Sequence, residues 1–339
     1  SREHFLDLLA ATNLVPGPNA VEMASHIGFV HAGWPGLLAG GASFILPAFF
    51  ISLALAWAYV RFGALPQVTA LFYGINPAVM AVIVTATYRL GRAALRDWRA
   101  IALAVACLAA ALLGVNEVVL LLAAGVVGVL LYAPPRLPTR LRWAMFGLPA
   151  SLSALPLPGL DDRLLRLGLF FLKVGSLLFG SGMVLFAFIQ RDVVDRYGWL
   201  TQHQLLDAIA VGQMTPGPVL SSATFIGYLV AGWAGAVVST LAVFMPSFVI
   251  VALVGPWIPR LRRWAAAQAF LRGVNAAVVA LILAVALALF RSAVVDVWTA
   301  AILLASLVVL LRFRAETMWL VLGGAVCGLI HYLVVRMGC

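Results

Sequence analysis

An internal repeat restricts the fold of this chain more than any other feature. Residues 1–18 read SREHFLDLLAATNLVPGP, and residues 201–218 read TQHQLLDAIAVGQMTPGP. The match continues over roughly 75 residues in an almost constant register, which indicates a duplicated unit. The paired positions include helix-breaking and polar residues: Asp7 and Asp207, Pro16-Gly17-Pro18 and Pro216-Gly217-Pro218, Gly33 and Gly232, Pro47 and Pro246, and Asn76 and Asn275.

The composition places this duplicated unit in a membrane. Of the 339 residues, 64% are hydrophobic and 10% are charged, whereas a soluble domain is about half apolar and about a quarter charged. The scarcity of charge excludes a soluble enzyme, a disordered chain and a nucleic-acid-binding protein, despite a net charge of +10. Unbroken apolar runs such as 101–115 and 118–131 favour helices, because the strands of a β-barrel alternate apolar and polar residues. The sequence predicts an all-α polytopic membrane protein.

Each copy is predicted to contain about five transmembrane helices. The apolar stretches lie at 34–60, 68–89, 100–114 and 117–133 in the first copy, and at 165–190, 233–258, 267–290, 299–312 and 318–335 in the second. The stretch 165–190 has no counterpart in the first copy, so we expect the gene to encode a further glycine-rich span upstream of Ser1. The predicted domains are an N-terminal repeat at 1–133, a cytoplasmic linker at 134–163 and a C-terminal repeat at 164–339.

The arginine positions predict that the two copies have opposite orientations, since arginine is enriched in cytoplasmic loops. In the first copy the arginines follow the span 68–89, whereas in the second they precede the equivalent span 267–290. The two sets are Arg92, Arg96 and Arg99, and Arg260, Arg262 and Arg263. Inverted repeats around a midplane site are an architecture of secondary transporters, although a channel or an inert scaffold could share the duplication. The C-terminus is expected outside the cell.

The two Pro-Gly-Pro elements are predicted to form the tips of re-entrant hairpins. Each lies between two short helices, at 3–14 and 19–30 in the first copy and at 202–213 and 219–230 in the second. A proline at the first helical position leaves the following amides free at the positive end of the helix dipole, which suits an anion. A simple tight turn between two packed helices is the alternative interpretation.

We expect the two tips to meet and to bind an oxyanion together with nearby polar side chains and glycines. The candidate binding residues are Pro16, Gly17, Pro18, Asn19, Thr215, Pro216, Gly217, Pro218, Ser221, Ser222, Lys173, Gly180, Ser181, Gly182, Asn76 and Asn275. Lys173 and Arg272 would add positive charge. The glycines at 180 and 182 either allow close helix approach or expose amides, and the two asparagines either satisfy backbone groups or line the path.

Buried ionisable groups are functional candidates, because a charge inside a membrane is expensive. Glu22, one turn after the first tip, is a candidate for carrying a coupling proton, and an ion pair with Lys173 or an arginine is the alternative. His26 is expected to be a hydrogen-bonded core residue. Asp7 and Asp207 are expected to hydrogen-bond helix ends within their own hairpins. No spacing typical of a metal site, a cofactor site or an enzyme nucleophile is present in the sequence.

Several motifs resemble the chromate ion transporter family in its long, two-domain form. In the first copy they are Asn13-Leu14-Val15-Pro16-Gly17-Pro18-Asn19, His26-Ile27-Gly28-Phe29, Ala32-Gly33-Trp34-Pro35-Gly36 and Phe44-Ile45-Leu46-Pro47, and in the second Gln213-Met214-Thr215-Pro216-Gly217-Pro218, Ile226-Gly227-Tyr228, Ala231-Gly232-Trp233 and Met245-Pro246-Ser247. The resemblance implies two domains of opposite topology, chromate efflux across the bacterial inner membrane, chromate resistance, and sulfate as an analogue. The family's glycine motif resembles Phe179-Gly180-Ser181-Gly182, with Ser181 in place of a common glycine.

The sequence thus leads to a secondary transporter that expels chromate by alternating access. An oxyanion or sulfate channel, or an uptake carrier, on the same scaffold is the alternative, and an enzyme is not expected. The expected partners are chromate, sulfate as a second anion, and the lipid bilayer, with no metal, cofactor or nucleic acid. Apolar spans such as Val118 to Leu131 leave a homodimer open.

Overall fold

The computed structural model describes residues 19–133, 163–178, 182–254, 264–313 and 315–337, and no side-chain position for Asn19 or Val254. The first Pro-Gly-Pro element (Pro16, Gly17 and Pro18), Asp7, Gly180, Ser181 and most of the predicted linker lie outside these described residues. The regular structure in the described ranges is helical. Five of the described helices are long and apolar enough to cross a membrane. The prediction of an all-α polytopic membrane protein is therefore confirmed.

The first half contributes four helices to the described chain. They are α1 (Asn19–Phe62), α2 (Pro66–Ala94), α3 (Trp98–Leu112) and α4 (Glu117–Tyr132). Helix α2 begins at a proline, whose missing amide costs nothing at the first helical position. Helix α4 is capped by the side chain of Asn116, which accepts a hydrogen bond from the amide of Val118.

The second half starts with a broken helix. Helix α5 (Arg163–Leu177) is followed, after the undescribed residues 179–181, by a 3₁₀ turn at Gly182–Val184, by α6 (Leu185–Phe188) and by a π-helix at Ile189–Arg196. The span predicted over 165–190 is therefore not one continuous α-helix, because the chain leaves the α-helix after Leu177. The remaining helices are α7 (Gln202–Met214), α8 (Ser222–Val254), α9 (Ala265–Ala293), α10 (Val297–Arg312) and α11 (Thr317–Met337).

Helices α1 and α8 each contain a sharp turn at equivalent positions. The backbone angles are φ −141° and ψ 19° at Ala32 and φ 61° and ψ −141° at Gly33. They are φ −144° and ψ 28° at Ala231 and φ 62° and ψ −148° at Gly232. A positive φ is readily adopted by glycine, which explains why both copies have one there. Each helix consequently has a short arm (19–31 or 222–230) and a long arm (34–62 or 233–254).

The two arms of each helix run antiparallel and in contact. In α1, Gly28 lies against Gly36, and Gly40 lies against Ala24. In α8, the Ser239 hydroxyl donates a hydrogen bond of 2.7 Å to the carbonyl of Ala223 across the same kind of contact. The exposed indoles of Trp34 and Trp233 follow the two turns, as expected of aromatic residues at a membrane interface. The short helices predicted after each Pro-Gly-Pro element are present.

The two halves interlock through their central helices. Helix α2 packs against α10 and α11 of the second half, and α9 packs against α3 and α4 of the first half. The closest approaches occur at the paired glycines: a Cβ atom on Gly74 would overlap the carbonyl of Gly324, and one on Gly273 would overlap the carbonyl of Ala124. Each half thus packs one of its central helices against helices of the other half. Helices α2 and α9 also contact each other at the centre of the molecule.

Candidate anion site

The second hairpin contains the helix, break and helix that the sequence predicts. Helix α7 starts with a capping box formed by Thr201 and Gln204 and ends at Met214. The chain then leaves the helix at 215–218, the segment that we call the second tip, and resumes as a 3₁₀ turn at Val219–Ser221 that leads into α8. With 13 residues, α7 is about 20 Å long, which is too short to cross a bilayer.

Contacts across this hairpin show that its two helices are antiparallel neighbours. Gly212, near the end of α7, lies against the Ser222 side chain at the start of α8. Further from the tip, the Tyr59 ring bridges the two helices. Its hydroxyl donates a hydrogen bond of 2.7 Å to Asp207, and its ring lies 5.2 Å from the ring of Phe225. A helix hairpin with an irregular tip is tolerated in a membrane only where it is buried in protein or lines a cavity.

The second tip is surrounded by both halves of the molecule. The Thr215 side chain is buried, with its hydroxyl 3.3 Å from that of Ser52 on the long arm of α1. Gly217 lies against Ala48 on the same arm, and Gly182 lies against Leu220. Pro216 and Gly217 are exposed although Thr215 and Pro218 on either side are buried. The tip is thus held by buried neighbours and has an accessible centre.

Hydroxyl groups near the second tip differ in whether their hydrogen bonds are already used. Thr215 donates to the carbonyl of Val211 at 2.8 Å, and Ser222 donates to the carbonyl of Val219 at 2.9 Å. The Ser221 side chain is only 2% exposed, and its hydroxyl has no hydrogen-bond partner among the described residues. The Ser221 hydroxyl is therefore a donor beside the first amides of the 3₁₀ turn, which have no acceptor within the turn, whereas the Ser221 amide itself donates to the carbonyl of Pro218.

Lys173 is not a free positive charge in this structure. Its ammonium lies 2.6 Å from the Asp192 carboxylate, which belongs to the π-helix and is buried. The neighbouring Arg191 donates to the backbone carbonyls of Gly114 and Val115 and lies 3.5 Å from Glu117. The sequence prediction missed this cluster, because Arg191 and Asp192 are far from Glu117 along the chain.

The remaining candidates are divided between the centre and the edge of the molecule. Asn76 is buried beside Pro77 in α2, and its side chain lies close to the Asp207 carboxylate. Asn275 is half-buried in α9, and the Arg272 guanidinium lies 5.6 Å from the centre of the Tyr132 ring in α4. Asp207 accepts a hydrogen bond from Tyr59 of the other half, so its predicted role at a helix end of its own hairpin is wrong. No sequence signal pointed to Tyr59, because the repeat places an isoleucine, Ile258, at the equivalent position.

Metal binding has no support in the described part of the chain. No three histidine, cysteine, aspartate or glutamate side chains come together there in a way that could hold an ion. The polar groups beside the second tip are hydroxyl groups, backbone amides and a helix N-terminus, and a helix N-terminus favours negative charge.

Comparison with known proteins places this sequence in a family. The sequence matches the chromate transporter family over residues 1–129 and 165–329. The chain belongs to that family. A chromate transport protein of Cupriavidus metallidurans is 37% identical over 336 residues, which cover 96% of this chain and 82% of the relative. A chromate transport protein of Pseudomonas aeruginosa is 34% identical over 293 residues, which cover 83% of this chain and 70% of the relative. A probable chromate transport protein of Synechococcus elongatus is 33% identical over 305 residues, which cover 88% of this chain and 77% of the relative.

Membership of the chromate transporter family agrees with the helical, multi-pass architecture. No solved structure matches this chain. The hairpin at 202–230 and the turns at Gly33 and Gly232 are therefore known from this structure and not from a related one.

Proposed function

We propose that this chain expels chromate across the inner membrane of a bacterium by alternating access, with the anion bound at the meeting point of the two Pro-Gly-Pro tips. The family and three relatives whose names refer to chromate transport support the substrate. The observation that carries the site is the second tip, where an accessible chain break is enclosed by helices and the Ser221 hydroxyl is buried without a partner in the described chain.

The chemistry of the tip suits a tetrahedral dianion. The amides at the start of the 3₁₀ turn and the positive end of the helix dipole favour negative charge, and a buried hydroxyl donates a stronger hydrogen bond to a charged acceptor than to a neutral one. The apolar side chains around the tip, such as Ala48 and Leu220, exclude water and strengthen these interactions. Sulfate has the same shape and charge, and we propose that it competes with chromate for the site.

Alternating access would come from relative movement of the two halves. Helices α2 and α9 are each packed into the opposite half, and the two short arms turn at nearly the same backbone angles. This arrangement supports a pseudo-symmetric pair of inverted repeats, in which one hairpin is open to the outside while the other is open to the cytoplasm. An inside-negative potential contributes about 2.3 kcal/mol per charge for each 100 mV to the exit of an anion. The lipid-facing spans also leave room for a homodimer.

Radiolabelled chromate uptake into inverted membrane vesicles tests this proposal. We expect uptake that saturates with chromate and is inhibited by sulfate. In the variant Ser221→Ala the half-saturating concentration should rise about tenfold or more, because a hydrogen bond to a charged group contributes roughly 1.5–3 kcal/mol. Ser306→Ala is the matched control, since it removes a buried hydroxyl from α10 outside the hairpins. Normal uptake by Ser221→Ala would contradict the site, and non-saturating flux would indicate a channel.

A further inference from the structure

Glu22 is the most deeply buried acidic residue in the described chain. It lies in the first turn of the short arm of α1, its side chain is 1% exposed, and neither carboxylate oxygen has a hydrogen-bond partner among the described residues. One turn later, Ser25 is equally buried, and its hydroxyl likewise has no partner there.

The antiparallel arms of α1 show which part of the long arm lies beside Glu22. Gly28 faces Gly36, and Ala24 faces Gly40. When this register is extended towards the N-terminus, Glu22 comes level with Ala42, in the turn of the long arm that runs from Gly40 to Phe44.

The adjoining turn of the long arm borders the second tip. A Cβ atom placed on Gly217 would lie 2.8 Å from the Cβ of Ala48 and 3.9 Å from the carbonyl oxygen of Phe44. Glu22 and the second tip thus lie beside adjoining turns of the long arm, at 41–44 and 44–48. A negative charge at Glu22 would repel an anion at the tip over this distance, because like charges repel and protein screens them less than water does.

No described residue donates a hydrogen bond to either carboxylate oxygen of Glu22. The elements packed against α1 are α7, α8 and the 3₁₀ turn between them. The titratable or charged groups on these elements and on α1 itself are His26, His31, Tyr59, Arg61, His203, Asp207 and Tyr228. Tyr59 and Asp207 bond to each other. Lys173, the partner suggested by the sequence, is bound to Asp192.

We propose that Glu22 is the proton-binding residue of this transporter, and that a proton on Glu22 crosses the membrane together with the anion bound at the second tip. An isolated ionised carboxylate in the protein interior is too costly to persist, so Glu22 carries a proton in the enclosed state. A dianion nearby reinforces that state because like charges repel. The inference rests on the proposed chromate transport and adds the identity of the coupling ion and of its carrier.

The second half has no second proton-binding group at the position equivalent to Glu22. The residue equivalent to Glu22 in the repeat is Ser221, which does not titrate and instead offers a donor to the anion. One proton would offset one of the two negative charges of chromate. The net movement per cycle is then a single negative charge, and the membrane potential drives it outwards.

Purified full-length protein in liposomes tests this inference. The membrane potential is held at zero with potassium and valinomycin, and a pH gradient, acidic outside, is the sole driving force. The wild-type protein should accumulate chromate inside, to about a tenfold ratio for one pH unit and one proton. Glu22→Gln has the shape of the protonated residue but cannot release a proton. We expect it to lose accumulation while it retains the exchange of internal for external chromate at a rate within about twofold of wild type.

Two further variants complete the experiment. Glu22→Asp keeps a titratable group and should restore part of the accumulation. Glu117→Gln changes a second buried glutamate, one that has an arginine partner, and should leave the pH-driven accumulation intact. Both variants and the wild type meet the same solution chemistry of chromate, so a difference between them reports on the protein.

The outcomes separate the two proposals. Accumulation by Glu22→Gln equal to that of wild type would overturn the proton role of Glu22. Loss of exchange together with accumulation in Glu22→Gln would also overturn it, because the residue would then be needed for binding or folding. Absence of chromate exchange in the wild type would instead contradict the proposed function itself.

Discussion

The two halves of this transporter have similar backbone conformations and differ in their polar side chains. Helices α1 and α8 turn at equivalent positions with backbone angles that agree within about ten degrees. The start of the short arm nevertheless differs: Glu22 lies in its first turn in one half, and the equivalent Ser221 ends the 3₁₀ turn that precedes it in the other. One turn later, Ser25 has no described partner, whereas the equivalent Thr224 lies 2.7 Å from Thr240.

This difference suggests how a duplicated unit can acquire two roles. Glycines at the turns and at the helix crossings determine the path of the chain, so the scaffold repeats. Side chains on that scaffold are free to change. In our account one half supplies the proton-binding carboxyl group and the other supplies the hydroxyl group for the anion.

The strongest test of this division exchanges the chemistry of the two positions. Ser221→Glu places a carboxylate at the second tip, where its repulsion of a dianion amounts to several kcal/mol, and we expect chromate uptake into inverted vesicles to fall by about 100-fold or more. The reciprocal variant Glu22→Ser should still exchange chromate. Near-normal uptake by Ser221→Glu, at normal abundance in the membrane, would show that the second tip does not contact the anion.

The paired helix crossings should be equally intolerant of added volume. Gly74→Ala and Gly273→Ala each force a methyl group against a backbone carbonyl of the opposite half. We expect each to lower the free energy of unfolding by roughly 3 kcal/mol, since overpacked cores cannot relax fully. Thermal unfolding in detergent measures the effect. Gly323→Ala is the control, because its added methyl group meets no atom within 4 Å, and a loss of stability equal to that of the other two would contradict this interpretation.

The contacts of Arg191 near the π-helix should stabilise the packing of the second half against the first. Arg191→Ala removes the donor to the carbonyls of Gly114 and Val115 and leaves Glu117 buried without its ionic partner. A loss of about 2 kcal/mol follows from the unsatisfied groups, and it would appear as a lower melting temperature of the purified protein. Arg196→Ala, at an exposed arginine that contacts Tyr197, should have little effect, and equal losses in both variants would contradict a specific role for Arg191.

The smallest difference concerns the caps of the equivalent helices α3 and α10. Asp296 accepts a hydrogen bond of 2.8 Å from the amide of Thr299, whereas Asp97 caps no amide of α3 and accepts from Tyr132 instead. Asp296→Ala should cost about 1 kcal/mol of stability, and Asp97→Ala should cost less. Melting temperatures of the two variants give the comparison, and a larger loss for Asp97→Ala would contradict it.

The Asp296 cap also has a defined pH dependence. The backbone hydrogen bond from Thr299 is the largest of the influences that hold the pKa of Asp296 below its usual value. Its stabilisation is therefore fully present at neutral pH, above the pKa of the unfolded chain, and is lost as the pH falls through the lower pKa of the folded protein. The stability difference between wild type and Asp296→Ala should shrink on acidification.

The fold was predicted from the sequence more completely than the site. Long apolar runs and paired glycines and prolines indicated the helices, the turns before Trp34 and Trp233 and the hairpin at 202–230, because these features depend on local backbone chemistry. The break after Leu177 was missed, since the apolar run continues through it and the glycines of 180 and 182 gave no boundary.

Partners that lie far apart in the sequence could not be predicted. The contact of Tyr59 with Asp207 joins the two halves across 148 residues, and it has no equivalent in the repeat. The partner of Lys173 could likewise not be predicted. Asp192 belongs to a π-helix, and the apolar pattern of the sequence does not indicate a π-helix there. Ser221 was proposed as a candidate from its distance to Pro218 along the chain, and its role in binding stays a prediction.

The central claim is that the anion lies at the second tip, between the two halves. The most direct measurement is a structure of the full-length protein with chromate by electron cryomicroscopy, in parallel with the Ser221→Glu variant. We predict density for a tetrahedral anion within hydrogen-bond distance of the Ser221 hydroxyl and the first amides of the 3₁₀ turn, and its absence from the variant. Density beside Lys173, or unchanged density in the variant, would contradict the account.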